Sequence, residues 1–311
     1  MIYTITMNPA IDYIIETNNF EINKTNYFEN GYENIGGKGI NVAFVLKELN
    51  CDVTAMGFLG KVNSKIFYRE FAKQELLSDF IEHKSLTRIN FKIKNLSLKQ
   101  ETELNNTGTK IDPNLVDKFL LKLDNILKPN DIVVLSGSTP PQMQNNIYEV
   151  IGNICNKKQA LFIMDASKIN LLSGIKAKPF LIKPNINELC EILNVKVQDF
   201  SFAEISSMVD KLKTYGAQNV LLSMGEKGGY YFGNNNSVYK INAATGNLIN
   251  SVGAGDSMLG GFIFGLVNNL PLDETLKYCS ACGAATAFSK GLAKIDKIDY
   301  YINKINVERI K

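Results

Sequence analysis

One histidine, His83, and five scattered cysteines, Cys51, Cys155, Cys190, Cys279 and Cys282, leave this 311-residue chain little material for soft-metal chemistry. An ordinary zinc site needs clustered Cys and His ligands, and an odd cysteine count does not fit a disulfide framework. Cys279 and Cys282 have the spacing of a redox pair, but they fall in an alanine-rich run over residues 276–288 that reads as buried helix, so they are expected to pack rather than react. A reducing, intracellular setting fits this usage.

Long apolar runs are also missing: no stretch approaches the roughly 18 residues of a membrane span. The chain opens on the strand-like alternation Ile2-Tyr3-Thr4-Ile5-Thr6, without a basic region and apolar core of the signal-peptide kind, and a soluble, cytoplasmic protein is expected. The net charge is only +3, dispersed over mixed lysine and glutamate, which excludes a nucleic-acid footprint. Two familiar glycine motifs are absent. Met258 stands where a dinucleotide fingerprint needs its third glycine, and no Lys-Ser/Thr pair completes a phosphate loop of the Walker type.

What is present is an alternation of apolar β-rich runs and helical patterns from about residue 38 onward, which predicts an α/β fold with a mainly parallel central sheet between helices. A chain of this length can bury roughly 75% of its unfolded surface, enough for one large core. Strands are expected at 132–135, 160–164, 180–182 and 219–223. The clearest helix has Asp112 as N-cap and Pro113 at its first position, with Leu115, Val116, Phe119, Leu120, Leu123, Ile126 and Leu127 along one face. Two segments break the rhythm. Residues 88–94 alternate strictly, Ile89, Phe91 and Ile93 against Arg88, Asn90, Lys92 and Lys94, so this strand should cover something apolar while presenting cations. Together with an extended stretch over about 12–34, the segment 86–106 is read as a discontinuous β lid on a single domain spanning 1–311.

Two glycine-rich segments carry the chemistry. Asn250-Ser251-Val252-Gly253-Ala254-Gly255-Asp256-Ser257 leads into an apolar helix, where flexible glycines and a positive dipole end can cradle an anion beside one carboxylate. Taken alone, Asp256 or Ser257 reads better as an N-cap. Gly36-Gly37-Lys38-Gly39-Ile40-Asn41 likewise opens a helix, placing a cation and an amide at its start.

In this order along the chain, that early helix start, Lys183-Pro184-Asn185 with Glu188, Ser223-Met224-Gly225 and Gly253-Ala254-Gly255-Asp256 resemble the PfkB family of ribokinase-like carbohydrate kinases, over essentially the whole length. Thr87 to Ile93 and Ser136-Gly137-Ser138 look most like its 1-phosphofructokinase and tagatose-6-phosphate kinase branch. The resemblance implies a ribokinase-like three-layer sandwich with a small β-sheet lid. It also implies ATP-dependent phosphorylation of a sugar phosphate, D-fructose 1-phosphate to D-fructose 1,6-bisphosphate, with tagatose-6-phosphate kinase or a minor 6-phosphofructokinase as alternatives.

The same resemblance assigns residues. Asp256 becomes the catalytic base, with the backbone of Gly253, Ala254 and Gly255 stabilising the transferred group. Asp12, Lys24, Gly37, Lys38, Asn41, Arg88 and Ser138 fall to the sugar phosphate, with Arg88 as the phosphate grip. Lys183, Asn185, Ser223, Gly225 and Gly228 fall to ATP, and Asn185 and Glu188 to Mg²⁺, largely through water. A homodimer through the lid is implied as well. From another class, a non-catalytic nucleotide or sugar-phosphate sensor could keep the fold, though retention of Asp256 argues against it.

Overall fold

The computed structural model describes residues 1–311. Fourteen strands run in chain order: β1 Ile2–Thr6, β2 Ala10–Thr17, β3 Asn30–Gly36, β4 Val53–Gly60, β5 Leu77–His83, β6 Arg88–Asn95, β7 Gln100–Leu104, β8 Ile132–Ser136, β9 Leu161–Asp165, β10 Leu181–Ile182, β11 Asn219–Ser223, β12 Gly229–Phe232, β13 Val238–Ile241 and β14 Val307–Arg309. The helices are α1 Lys38–Glu48, α2 Lys65–Lys73, α3 Pro113–Ile126, α4 Ile147–Lys157, α5 Lys168–Gly174, α6 Ile186–Leu193, α7 Phe202–Tyr215, α8 Ala254–Val267, α9 Leu272–Ala287 and α10 Ile295–Ile302.

Ten strands form one sheet in the order β14-β13-β12-β11-β10-β9-β8-β1-β4-β5, parallel from β5 across to β11 and antiparallel beyond it. Because side chains alternate across a strand, neighbouring residues feed opposite cores. Ile132 and Val134 join one cluster with the inner faces of α1, α8 and α9, while Val133 and Leu135 join another with Phe119 of α3, Tyr148 of α4 and Leu212 of α7. The result is three layers, helix on sheet on helix, as the strand and helix alternation predicts.

Local chemistry accounts for several boundaries. Asp112 Oδ1 accepts from the N–H of Asn114, so α3 starts as its sequence predicts, and its buried Phe119 packs 5.3 Å from Phe58 between ring centroids. Gly39 lets α1 lie against β1: a Cβ there would meet Thr6 Oγ1 at 2.6 Å and the Ile5 carbonyl oxygen at 2.7 Å. The five cysteines are free and buried. Cys279 lies fully within α9, and burial pushes its thiol up to about 12, which leaves it unreactive near neutral pH.

The remaining strands form a separate four-stranded sheet, β3-β2-β6-β7. Its β2–β6 pair is parallel, with Asp12 beside Asn90 and Ile14 beside Lys92, and β7 sets Glu103 opposite Lys92. β6 covers apolar surface at Ile89, which packs against the main core, and presents Arg88, Lys92 and Lys94 to the cleft. Asn90 and Lys92 are the buried residues, facing the cleft between the two sheets, whereas Phe91 on the other face is 42% exposed. Ion pairing stabilises lysine on the inner side, while the outer side is covered only at one end, where Ile11 and Ile89 join the main core.

The main sheet places its chemistry at the carboxyl ends of its parallel strands. β1 lies between β4 and β8, so chain connections diverge on either side of it, the position where open α/β sheets form ligand crevices. Thr6, Ser136 and Asp165 stand side by side in register there.

Candidate active site

A single cleft of about 2090 Å³ runs between the carboxyl ends of the main sheet and the inner face of the small one. It exceeds the roughly 300–1,000 Å³ of a site for one drug-sized ligand and has room for two substrates side by side.

Asp256 sits at its centre, only 5% exposed. It is not the N-cap of α8. Gly253 holds that position with φ 81°, a left-handed conformation suited to glycine, and Asp256 follows on the third helical residue. Its Oδ2 accepts a 2.8 Å hydrogen bond from Asn41 Nδ2 on the first turn of α1. Burial, and then the charge of Asp165, push the Asp256 carboxyl up to about 6, against the opposing pull of Lys38, the Asn41 hydrogen bond and Lys183.

Asp165, at the end of β9, was not singled out from sequence. It is fully buried between two ammonium groups, Lys38 Nζ at 3.0 Å from Oδ1 and Lys183 Nζ at 3.2 Å from Oδ2. Burial alone would push its carboxyl up, yet Lys183 and Lys38 outweigh burial and hold it below the ordinary carboxylate range. Lys38 is balanced in the opposite sense. Burial pulls its ammonium down, and Asp165, Asp256 and Glu188 together raise it above its usual value. The centre is therefore a row of alternating charge, with one carboxylate at each end of Lys38, beside the N-terminus of a fourteen-residue helix.

A carboxylate with a raised proton affinity at a helix N-terminus, backed by two cations and facing a cleft large enough for two ligands, is suited to accepting a proton while a phosphoryl group is transferred. The comparison with known proteins agrees, since the model of the pfkB family carbohydrate kinases matches residues 2–298. This chain belongs to the pfkB carbohydrate kinase family. The kinase is 36% identical over 310 residues to 1-phosphofructokinase of Bacillus subtilis (strain 168), spanning 100% of both chains. It is 32% identical over 310 residues to D-tagatose-1-phosphate kinase of Bacillus licheniformis, again over 100% of both. The crystal structure of phosphofructokinase-2 from Escherichia coli in complex with substrates and products has the same fold, with a TM-score of 0.90 at 23% identity over 97% of this chain and 98% of that one.

Most residues expected at the site of this kinase line the cleft, but several do different work from that expected. Asn41 orients Asp256 instead of standing free for a sugar. Lys183 is 4% exposed and paired with Asp165, so its charge also supports the buried row, while it lines the cleft. Asn185 and Glu188 form a reciprocal capping box at the start of α6: Asn185 Oδ1 accepts from the Glu188 N–H and Glu188 Oε2 from the Asn185 N–H, both at 2.9 Å. The Asn185 amide oxygen is thereby engaged, while Glu188 Oε1 lies 3.8 Å from Lys38 Nζ.

Ser223, Gly225 and Gly228 line the same side of the cleft, the glycines at φ 60° and 80°. Asp12 and Arg88 of the lid, Gly37 at the start of α1 and Ser138 just after β8 line it too. The Arg88 guanidinium is turned onto the backbone, donating from Nε and Nη2 to the Asn8 carbonyl and from Nη1 to the Asn106 carbonyl, and two of its five N–H groups remain. Lys24 departs from expectation altogether. It is exposed on the β2–β3 connection, paired with Glu21 at 2.5 Å, and is not part of the cleft wall. Lys92, unremarked in the sequence except as part of a cationic face, is buried against Asp12 at 3.2 Å.

Proposed function

We propose that this kinase uses ATP to phosphorylate a ketohexose phosphate, D-fructose 1-phosphate giving D-fructose 1,6-bisphosphate. The observation that carries this reading is the division of the cleft. Asp256 and the α8 N-terminus lie on the main-sheet side, and opposite them a lid face offers both a carboxylate, Asp12, for hydroxyl groups and a guanidinium, Arg88, for a phosphate already on the substrate. A substrate carrying both groups matches that face better than a free sugar does.

In the reaction, the substrate hydroxyl gives its proton to Asp256 as its oxygen bonds to the γ-phosphorus, and the bond from that phosphorus to the β–γ bridging oxygen breaks to release ADP. Asn41 holds the accepting carboxylate, and the N–H groups opening α8 face charge on the transferred group. Glu188 Oε1 is the protein oxygen left over from the capping box, and no cluster of three acidic, histidine or cysteine side chains surrounds it. One carboxylate oxygen suits a hydrated Mg²⁺ carried by the nucleotide, better than a cation caged by protein. Bound there, the ion would offset negative charge on the phosphates.

The exposed outer face of the lid, with Phe91 42% and Leu104 60% exposed beside Tyr13, supports a homodimer through that sheet. Light scattering at micromolar concentration that returned a monomer would remove it.

The deciding experiment is a coupled ADP-release assay with MgATP, comparing kcat/KM for D-fructose 1-phosphate, D-tagatose 6-phosphate, D-fructose 6-phosphate and free fructose. A strong preference for D-fructose 1-phosphate is expected. Tagatose-6-phosphate kinase is the second reading, favoured by 30% identity over 311 residues to the Staphylococcus epidermidis enzyme of that name, and a preference for D-tagatose 6-phosphate would put it first.

A further inference from the structure

The lid carries a continuous polar chain that joins its two substrate-gripping candidates. Asn106 is the link. Its carbonyl accepts from Arg88 Nη1 at 2.8 Å, and its N–H donates to Asn90 Oδ1 at 3.1 Å. With its oxygen so engaged, Asn90 presents its amide nitrogen to Asp12, donating from Nδ2 to Oδ1 at 2.9 Å. Lys92 holds the other oxygen, its Nζ lying 3.2 Å from Asp12 Oδ2 and 3.7 Å from Glu103 Oε1. Glu103 is itself tethered, its Oε2 accepting from Asn105 Nδ2 at 3.0 Å.

The backbone register makes this chain possible. Asn90 is the direct neighbour of Asp12 across the parallel β2–β6 pair, and Lys92 is the direct partner of Glu103 across β6–β7. Asn90 and Lys92 are 7% and 8% exposed, although both line the cleft. Burying a lysine is costly unless it is paired, and here it is paired twice beside the buried Ile14. A carboxylate has about four acceptor positions. Taking one on each Asp12 oxygen from within the sheet fixes the plane of the group and leaves the remainder for a ligand in the cleft.

We infer that Asn90 and Lys92 are positioning residues for sugar-phosphate recognition. Together they fix the Asp12 carboxylate and tie it, through the Asn106 peptide, to the Arg88 guanidinium, so that hydroxyl and phosphate contacts form as one rigid unit. The inference rests on the sugar-phosphate reading above. It accounts for a lid face whose charges are paired internally: Asp12, Glu33, Glu101 and Glu103 offset Arg88, Lys92 and Lys94 along the cleft, so the face selects by fixed geometry and not by an excess of positive charge.

The test measures kcat and both KM values for wild type, Lys92→Met, Lys92→Arg, Asn90→Leu and Asp12→Asn on MgATP and the best sugar phosphate found for the wild type. Lys92→Met and Asn90→Leu are expected to raise the sugar-phosphate KM about 10-fold or more, with KM for ATP changed less than about 3-fold, the signature of a lost ground-state contact geometry. Lys92→Arg should recover most of the loss, and Lys92→Met combined with Asp12→Asn should cost less than the two effects multiplied. Parallel rises in both KM values, a fall in kcat alone, or a multiplicative double variant would overturn the inference. If Lys92→Met does not fold, Asn90→Leu, which removes no charge, decides by the same split. A wild type that turns over no sugar phosphate defeats the substrate reading instead, and the two failures are therefore distinct.

Discussion

Asn41 and Asp256 are joined by a 2.8 Å hydrogen bond across 215 residues of sequence, from the first turn of α1 to the first turn of α8. Two helix starts that look unrelated in the chain thus build one acceptor group. If Asp256 is the base, Asp256→Asn removes proton acceptance while keeping shape and much of the hydrogen bonding. The expected loss in kcat is about 10²- to 10⁴-fold with little change in KM for ATP. Near wild-type turnover would demote Asp256 to a buried structural residue.

The same pair sets the pH response. With its carboxyl pushed up to about 6, Asp256 is protonated, and unable to accept, on the acid side of that value. Turnover should therefore fall as pH drops through about 6 and reach a plateau above about 7. The Asn41 hydrogen bond favours the ionised form, so Asn41→Ala should move this acid limb to higher pH as well as lowering kcat. A pH–rate profile of both proteins between pH 5 and 8 checks the sign, and an unmoved limb in the variant would separate Asn41 from Asp256.

Arg88 calls for a different measurement because it touches both substrate space and the lid's own backbone. Arg88→Ala should raise KM for the sugar phosphate far more than KM for ATP, by about 10-fold or more, since a guanidinium-to-phosphate contact is among the stronger polar interactions. Arg88→Lys keeps the charge but lacks the fork that reaches the Asn8 and Asn106 carbonyls together, so it should recover little. Equal effects on both substrates would assign Arg88 to hinge geometry alone.

The layers of the fold were legible because each rests on local periodicity. α3 could be placed from Asp112, Pro113 and its apolar stripe, and the strands ending at Ser136 and Ser223 from short β-rich runs. The glycine-rich starts of α1 and α8 were legible for a related reason, since positive φ and close approach leave a visible demand for glycine. Asp165 left no such trace. A single carboxylate at a strand end has no sequence period, and its meaning comes only from Lys38 and Lys183 arriving from elsewhere in the chain. Lys24 erred the other way: a lysine in an extended polar segment matches a family pattern, but the β2–β3 connection carries it out to solvent. For β6 the alternation set Arg88, Asn90, Lys92 and Lys94 toward the cleft and Ile89 against the core, but period two alone does not show that Asn90 and Lys92 are buried there.

The buried row of charge also predicts where stability is given up. Asp256 has its folded value, about 6, above its ordinary 3.8, so between these limits the folded protein holds more proton than the unfolded chain. By linkage, its contribution to stability falls as pH rises through that window, and above about pH 6 the full cost of a buried, ionised carboxylate is present. Asp256→Asn should consequently raise Tm at pH 8 by a few degrees, and by only about half as much at pH 5. Asp165 should behave in the opposite sense, because its carboxylate neutralises two lysines. Asp165→Leu would strand Lys183 without a counter-charge at 4% exposure and should cost about 3–5 kcal/mol by denaturant titration at pH 7. Thermal scans of Asp256→Asn at both pH values, with Asp165→Leu as the contrasting case, separate a carboxylate retained for chemistry from one retained for structure. A gain for Asp256→Asn that is constant with pH would place its origin in packing and remove the raised proton affinity on which the base assignment depends.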